Sequence, residues 1–152
     1  MLSTLLSRRK ALAGLALLIS GAGYAGASYL YPSRPSSIDV VTVDQVYSMA
    51  QRGEVLLVDI RRPDEWDRTG IAEGAHPLDM RRSDFVAALD SLTGADRARP
   101  IALICARGVR SARLSAALTD AGFTRIIDVP EGMLGSLAGP GWLKSELPTR
   151  RP

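Results

Sequence analysis

The sequence is short of the two residue types most used for polar chemistry. It holds one cysteine, Cys105, and one histidine, His76, in 152 residues. A lone cysteine excludes an internal disulfide and a dithiol redox cycle. One histidine and one cysteine also leave too few ligands for a zinc-type site, and no metal or other cofactor is expected. His76 precedes a proline at the edge of a short apolar stretch. A surface or structural role is therefore expected for it, rather than service as a base to the thiol. An excess of either sign of charge is also missing from most of the chain. The formal charge of +3 comes from Arg8, Arg9 and Lys10, three of the nineteen basic residues, while all sixteen acids lie from Asp39 onward. Without that leader the charges balance, so nucleic acid is not an expected partner. No internal repeat or low-complexity segment is present.

The same absence of charge marks the N-terminus. Ala11 to Ser33 contains no charged residue and follows the basic Ser7-Arg8-Arg9-Lys10. Residues 1–27 read as a signal peptide or membrane anchor, and Ser7-Arg8-Arg9 resembles a twin-arginine export signal. Ala25-Gly26-Ala27 suits a small-x-small cleavage site. If the segment is retained, residues 11–31 would measure about 31 Å as a helix, enough for inner-membrane attachment. In either case the expected location is exported: periplasmic, or held at the outer face of the inner membrane. Residues 28–37, with Pro32 and Pro35, form a polar linker, and one domain is expected over 38–149.

Within that domain strand-like and helix-like patterns alternate. Asp39-Val40-Val41 reads as a short strand. Thr42 to Gln45 has capping-box spacing ahead of an apolar stripe at Val46, Met49 and Ala50. Val55 to Ile60 and Ile101 to Ile104 are almost continuously apolar, as strands covered on both faces should be. Pro63 opens a short helix, and a further strand is expected around His76-Pro77-Leu78. Ser83 is placed to cap a helix carrying Phe85, Val86, Leu89 and Leu92, ending at Gly94. A helical pattern from Ser111, with Leu114 and Leu118, stops at Gly122-Phe123, and Arg125 to Val129 is expected as the last strand. The tail from Gly132 to Pro148 should pack as a mostly irregular or short-helical closure. This alternation indicates an α/β fold: an open, mostly parallel sheet of about five strands flanked by helices.

Ligands of such sheets sit at the carboxyl ends of the strands. Cys105 stands at that end of an apolar strand and just before a helix, where backbone N–H groups and the helix dipole favour a thiolate. The loop amides of Ala106, Arg107, Gly108, Val109 and Arg110 are expected to form an anion nest for a thiolate, a persulfide or a bound oxyanion. Arg107 and Arg110 add positive charge beside that nest. Ser111 is a supporting candidate. Asp59 and Arg61, at the end of the neighbouring strand, would form either a buffering pair or a structural salt bridge.

Cys105-Ala106-Arg107-Gly108-Val109-Arg110-Ser111 resembles the active-site loop of rhodanese-like sulfurtransferases, Cys-x-x-Gly-x-Arg-Ser before a helix. Leu57 to Trp66 with Gly70 to Ala75 is similar to the family's N-terminal signature. Val129-Pro130-Glu131-Gly132, with Trp142 and Leu147-Pro148, is similar to its C-terminal one. The resemblance spans about residues 38–149. There are three departures: no histidine near Ile71, Met133 in place of a second glycine, and Gly139-Pro140-Gly141 extending the segment before Trp142. The resemblance implies that Cys105 takes sulfane sulfur from a small donor such as thiosulfate and passes it to cyanide or a thiol, including a thiol on a protein. It also implies that Arg110 orders the loop or orients the anion, and Arg107 at the loop rim is the candidate for steering an anionic donor. A non-enzymatic rhodanese-like binding module and a dedicated persulfide carrier are the alternatives. A cysteine-dependent phosphatase is more remote, because four residues rather than five separate the cysteine from the arginine. Trp66 and Trp142 are expected in the core.

Overall fold

The near-continuous apolar runs become the middle of a sheet. Leu56–Asp59 (β2) and Ile101–Ile104 (β5) are buried along their whole length and pair in parallel. Alternate residues of β5 point to opposite faces: Ile101 and Leu103 join one apolar cluster, Ala102 and Ile104 the other. The computed structural model describes residues 38–152. The leader expected at 1–27 and the linker at 28–37 lie outside the described residues.

Three more strands complete the main sheet: Asp39–Val40 (β1), His76–Pro77 (β4) and Ile126–Val129 (β6). Their order is β1-β6-β5-β2-β4, and all four pairings are parallel. This is the α/β architecture expected from the alternation of patterns. The helices are Val43–Gln51 (α1), Pro63–Thr69 (α2), Phe85–Thr93 (α3) and Val109–Asp120 (α4). Two begin as their sequences indicate. The Thr42 hydroxyl accepts from the Gln45 amide while the Gln45 side chain accepts from the Thr42 amide, so α1 carries a full capping box. Pro63 occupies the first turn of α2, where it forfeits no hydrogen bond. Gly94 ends α3 in the left-handed conformation, φ 68°. At the end of α4 the Gly122 and Phe123 amides close on Thr119 O and Leu118 O.

Four expectations need correction. Asp84, not Ser83, occupies the N-cap of α3, and it makes no side-chain cap bond because its carboxylate is held by Arg82. Val86 is 38% exposed, and α3 buries Phe85, Leu89 and Thr93 at intervals of four instead. Helix α4 starts at Val109 rather than Ser111, because Gly108 adopts a left-handed N-cap with φ 81°. Arg125 to Val129 is not the last strand. Thr149–Arg150 (β7) pairs antiparallel with Ile71–Ala72 (β3) in a separate two-stranded sheet.

The tail before β7 folds onto the sheet. Trp142 is fully buried, stands edge-on to Tyr47 with ring centroids 5.6 Å apart, and donates its indole N–H to Pro148 O. Trp66 is also buried. Both tryptophans are core residues. Among the described residues no helix is long and apolar enough to cross a membrane.

One buried ion pair ties β2 to α2. Arg61 is 1% exposed and Asp59 not at all; the guanidinium donates to both Asp59 oxygens, to Thr69 Oγ1 and to Gly70 O. Removing one member of such a pair strands the other charge in the interior. Asp59→Asn is therefore expected to lower unfolding stability by about 3 kcal/mol. Urea titration checks this; a change within about 0.5 kcal/mol, the range of an ordinary surface substitution, would contradict it.

Candidate active site

The site begins with strand register. Asp59 pairs with Ile104, and Ile104 pairs with Val129, so three neighbouring strands end in one row. Cys105 and Pro130 are the next residues of two adjacent strands and leave the sheet side by side. The loops they open must share one space.

Glycine makes that sharing feasible. A Cβ on Gly108 would lie 2.1 Å from the Pro130 carbonyl oxygen, and one on Gly132 would lie 2.6 Å from Ala106 C and O. Both residues also have positive φ, 81° and 66°, a region that side chains disfavour. The two loops are joined by hydrogen bonds from Met133 N–H to Cys105 O and from Leu134 N–H to Ala106 O, both at 2.9 Å.

The sulfur sits within this double layer and is 1% exposed. The Gly108 amide donates to Cys105 Sγ at 3.1 Å, and Ser111 Oγ lies 3.6 Å from the sulfur. Ser111 is fully buried and donates its own proton to Gly108 O at 3.0 Å, so it accepts from the thiol. Because α4 starts at Val109, the sulfur faces the amino end of the helix. Negative charge developing on it meets the Gly108 N–H and the positive end of the helix dipole.

Arg110 lies in the first turn of α4 rather than in the loop. Its guanidinium forms two parallel bonds to Glu65, Nη1 to Oε2 at 2.8 Å and Nη2 to Oε1 at 2.7 Å. Its pKa is raised, chiefly by the hydrogen bond to Glu65, with Cys105 a smaller contributor. The same bond pulls the Glu65 carboxyl down to about 2 against the opposing effect of burial, and the Arg62 amide lowers it further. Arg107 is exposed at the rim and reaches Gly135 O at 3.4 Å. Arg61 contributes only indirectly: its Nη1 lies 3.4 Å from Glu65 O on the helix that presents Glu65.

Two acids of this site were not assigned a site role on the sequence. Glu65 was readable only as a favourable charge in the first turn of α2, because its partner lies 45 residues away. Glu131 is buried and accepts from the Val43 amide, at the amino end of α1, and from the Gly141 amide, locking the tail over the sheet. His76 is exposed on edge strand β4. A hollow between β4 and α3, lined by residues such as Pro77, Leu78, Arg82 and Leu92, includes no residue of the cysteine loop. Among the described residues no group of His, Cys, Asp and Glu is arranged to hold a metal ion.

Two tests follow from this geometry. Gly108→Ala must move Pro130 or the loop, so a loss of about 2 kcal/mol in stability is expected together with loss of Cys105 reactivity toward a maleimide or sulfane donor. Unchanged reactivity would show that the close approach is not needed. Glu65 has a depressed pKa, so the stability it adds is present above the unfolded-state value of 4.5 and is lost as pH falls toward 2. Glu65→Gln should flatten the acid limb of the stability curve between those values and cost about 2 kcal/mol at neutral pH. Parallel curves for the two proteins would rule the pair out as a determinant of acid stability.

Comparison with known proteins agrees with this geometry. No curated protein matches the sequence at a significant level. The fold is similar to the solution structure of the homodimeric polysulfide-sulfur transferase from Wolinella succinogenes, with a TM-score of 0.62 and 19% identity over 91% of this chain and 93% of that one. It is also similar to a thiosulfate sulfurtransferase from Pseudomonas aeruginosa, with a TM-score of 0.59 and 17% identity over 75% of this chain and 20% of that one. A protein of unknown function from Rhodopseudomonas palustris, described as a possible tyrosine phosphatase, has a TM-score of 0.56 and 19% identity over 99% of both chains. The family profile of the rhodanese-like domain matches residues 42–136. The chain belongs to the rhodanese-like domain family.

Proposed function

We propose that the chain is a sulfurtransferase that carries sulfane sulfur on Cys105. The observation that carries this reading is the Gly108 N–H donating at 3.1 Å to a cysteine sulfur at the amino end of α4. In the first step the Cys105 thiolate attacks the outer sulfur of a donor such as thiosulfate. A new S–S bond forms, the bond between the donor's two sulfurs breaks, and sulfite leaves with its electron pair. In the second step cyanide or a thiolate attacks the outer sulfur of the persulfide, and Cys105 departs as thiolate. Neither step needs a base or a cofactor, in keeping with a loop whose polar groups are amides, a serine and arginines.

The roles follow position. Cys105 is the nucleophile. The amides of the segment Ala106 to Arg110 cradle the charged sulfur, and Ser111 supports the turn through its bond to Gly108 O. Arg110 fixes the first turn of α4 through Glu65, and Arg107 attracts the anionic donor at the rim. Asp59 and Arg61 hold α2, and with it Glu65, in place. The leader favours a site of action outside the cytoplasm, with residues 11–31 attaching the protein to the inner membrane if they are retained. Two of the structural neighbours are described as transferring sulfur, which supports the same reading.

Incubating the purified chain with thiosulfate and weighing it intact tests the proposal. The wild type should gain one sulfur atom and release thiocyanate when cyanide is added, and Cys105→Ser should do neither. A wild type that gains no sulfur and yields no thiocyanate would leave the binding-module reading in its place.

A further inference from the structure

Large apolar side chains on the described surface are few, and one stands apart. Leu137 is 90% exposed, against 47% for Val40 and less for Val86 and Val109. It sits at the apex of a tight turn closed by Ser136 N–H to Gly139 O and Gly139 N–H to Ser136 O. Such an apex ordinarily holds Asn, Asp or Gly, often at positive φ. Here it holds Leu137 and Ala138, neither of which has positive φ, so turn chemistry does not explain the leucine.

The turn is fixed to the cysteine loop. Ser136 Oγ donates to Pro130 O at 2.8 Å, and Pro130 is the residue that packs on Gly108. Arg107 Nη1 donates to Gly135 O, the residue before the turn. Leu137 is thus a prong held at the rim of the thiol site, in the segment lengthened by Gly139-Pro140-Gly141. Arg107 shares this rim, and Arg113 lies one helical turn beyond Val109 on α4. Arg107 is exposed, as is Arg113, which lies four residues after the exposed Val109 on the same face of α4; neither forms an ion pair among the described residues. Elsewhere Arg62 and Arg68 are held by Asp64, Arg81 by Asp79 and Arg82 by Asp84, while the exposed Arg99 and Arg125 stand just before β5 and β6, at the edge of the sheet away from the thiol.

We propose that this rim docks the sulfur acceptor, and that the acceptor is a thiol on an acidic polypeptide with an apolar side chain close to its cysteine. The unpaired arginines give the charge complementarity, and the leucine gives an anchor that a small thiol has no means of using. The inference rests on sulfur transfer through Cys105 and deepens it. The acceptor thiolate forms a bond to the outer sulfur, the Cys105 S–S bond breaks, and its electron pair returns to Cys105.

The test uses the full chain loaded with thiosulfate. The acceptors are a synthetic peptide with one cysteine flanked by aspartates and leucine, the same peptide with lysines for aspartates, and cyanide. The acidic peptide is expected to show a KM about tenfold below that of its lysine counterpart. Leu137→Asp and Arg113→Glu are each expected to raise that KM about tenfold while leaving turnover with cyanide unchanged. Equal KM values for the two peptides, or variants with wild-type KM, would overturn the docking inference alone. Absence of persulfide and of turnover with every acceptor would overturn sulfur transfer and docking together. Self-association of the chain, or vesicle binding, that Leu137→Asp abolishes would assign the prong to a second copy or to a lipid surface and overturn the inference.

Discussion

The structure depends on two parallel strands ending side by side. The pairing of Ile104 with Val129 places Cys105 and Pro130 at the same level, and the loops that follow cannot both carry side chains at their point of contact. Gly108 and Gly132 resolve the conflict by left-handed backbone and missing Cβ atoms. The consequence is chemical as well as steric. Gly108 in that conformation is also the N-cap of α4 and the donor to Cys105 Sγ, so the contact that packs the loops also directs an amide at the sulfur. A side chain at position 108 would disturb both.

A second constraint acts from the other side. Arg110 projects from the first turn of α4 to Glu65 on α2, while Arg61 holds the end of α2 to Asp59 on β2. The helix that presents its amino end to the sulfur is thereby referenced to the adjacent strand by two ion pairs in series. Their environments differ. Asp59 and Arg61 are dry and saturated with partners, so they work as fixed structure. Glu65 is partly accessible, with Arg110 more so, and titrates at low pH.

What could be read from the sequence was local. The buried strands announced themselves as unbroken apolar runs, α1 by a capping box between Thr42 and Gln45, and α4 by its glycine-aromatic stop. The position of Cys105 between an apolar strand and a helix was enough to place it at the carboxyl edge of a parallel sheet. The illegible features were contacts between distant residues. Glu65 finds Arg110 across 45 positions, Glu131 finds Val43 across 88, and Thr149–Arg150 pairs with a two-residue strand too short to carry a periodic pattern. The differences at α3 have other origins: the Asp84 carboxylate at the cap position is held by Arg82, only two residues away, and packing buries Thr93 while Val86 stays exposed.

Burial of the thiol separates chemistry from recognition. With Cys105 1% exposed, the sulfur itself offers little surface by which one acceptor could be told from another. On the proposed reading, a sulfur atom carried on Cys105 would reach one S–S bond, about 2 Å, beyond Sγ, and the acceptor would approach it past the rim. Arg107 apart, the rim is built by side chains with no role in the proposed sulfur chemistry: those of the turn from Gly135 to Gly139 and of the exposed face of α4. The loop's backbone is constrained by two glycines and a strand register, whereas Leu137 and Arg113 touch neither. On the proposed reading, acceptor preference can change at the rim without disturbing the sulfur site, and two of the three departures from the family pattern, Met133 and Gly139-Pro140-Gly141, lie in the tail while none lies in the cysteine loop.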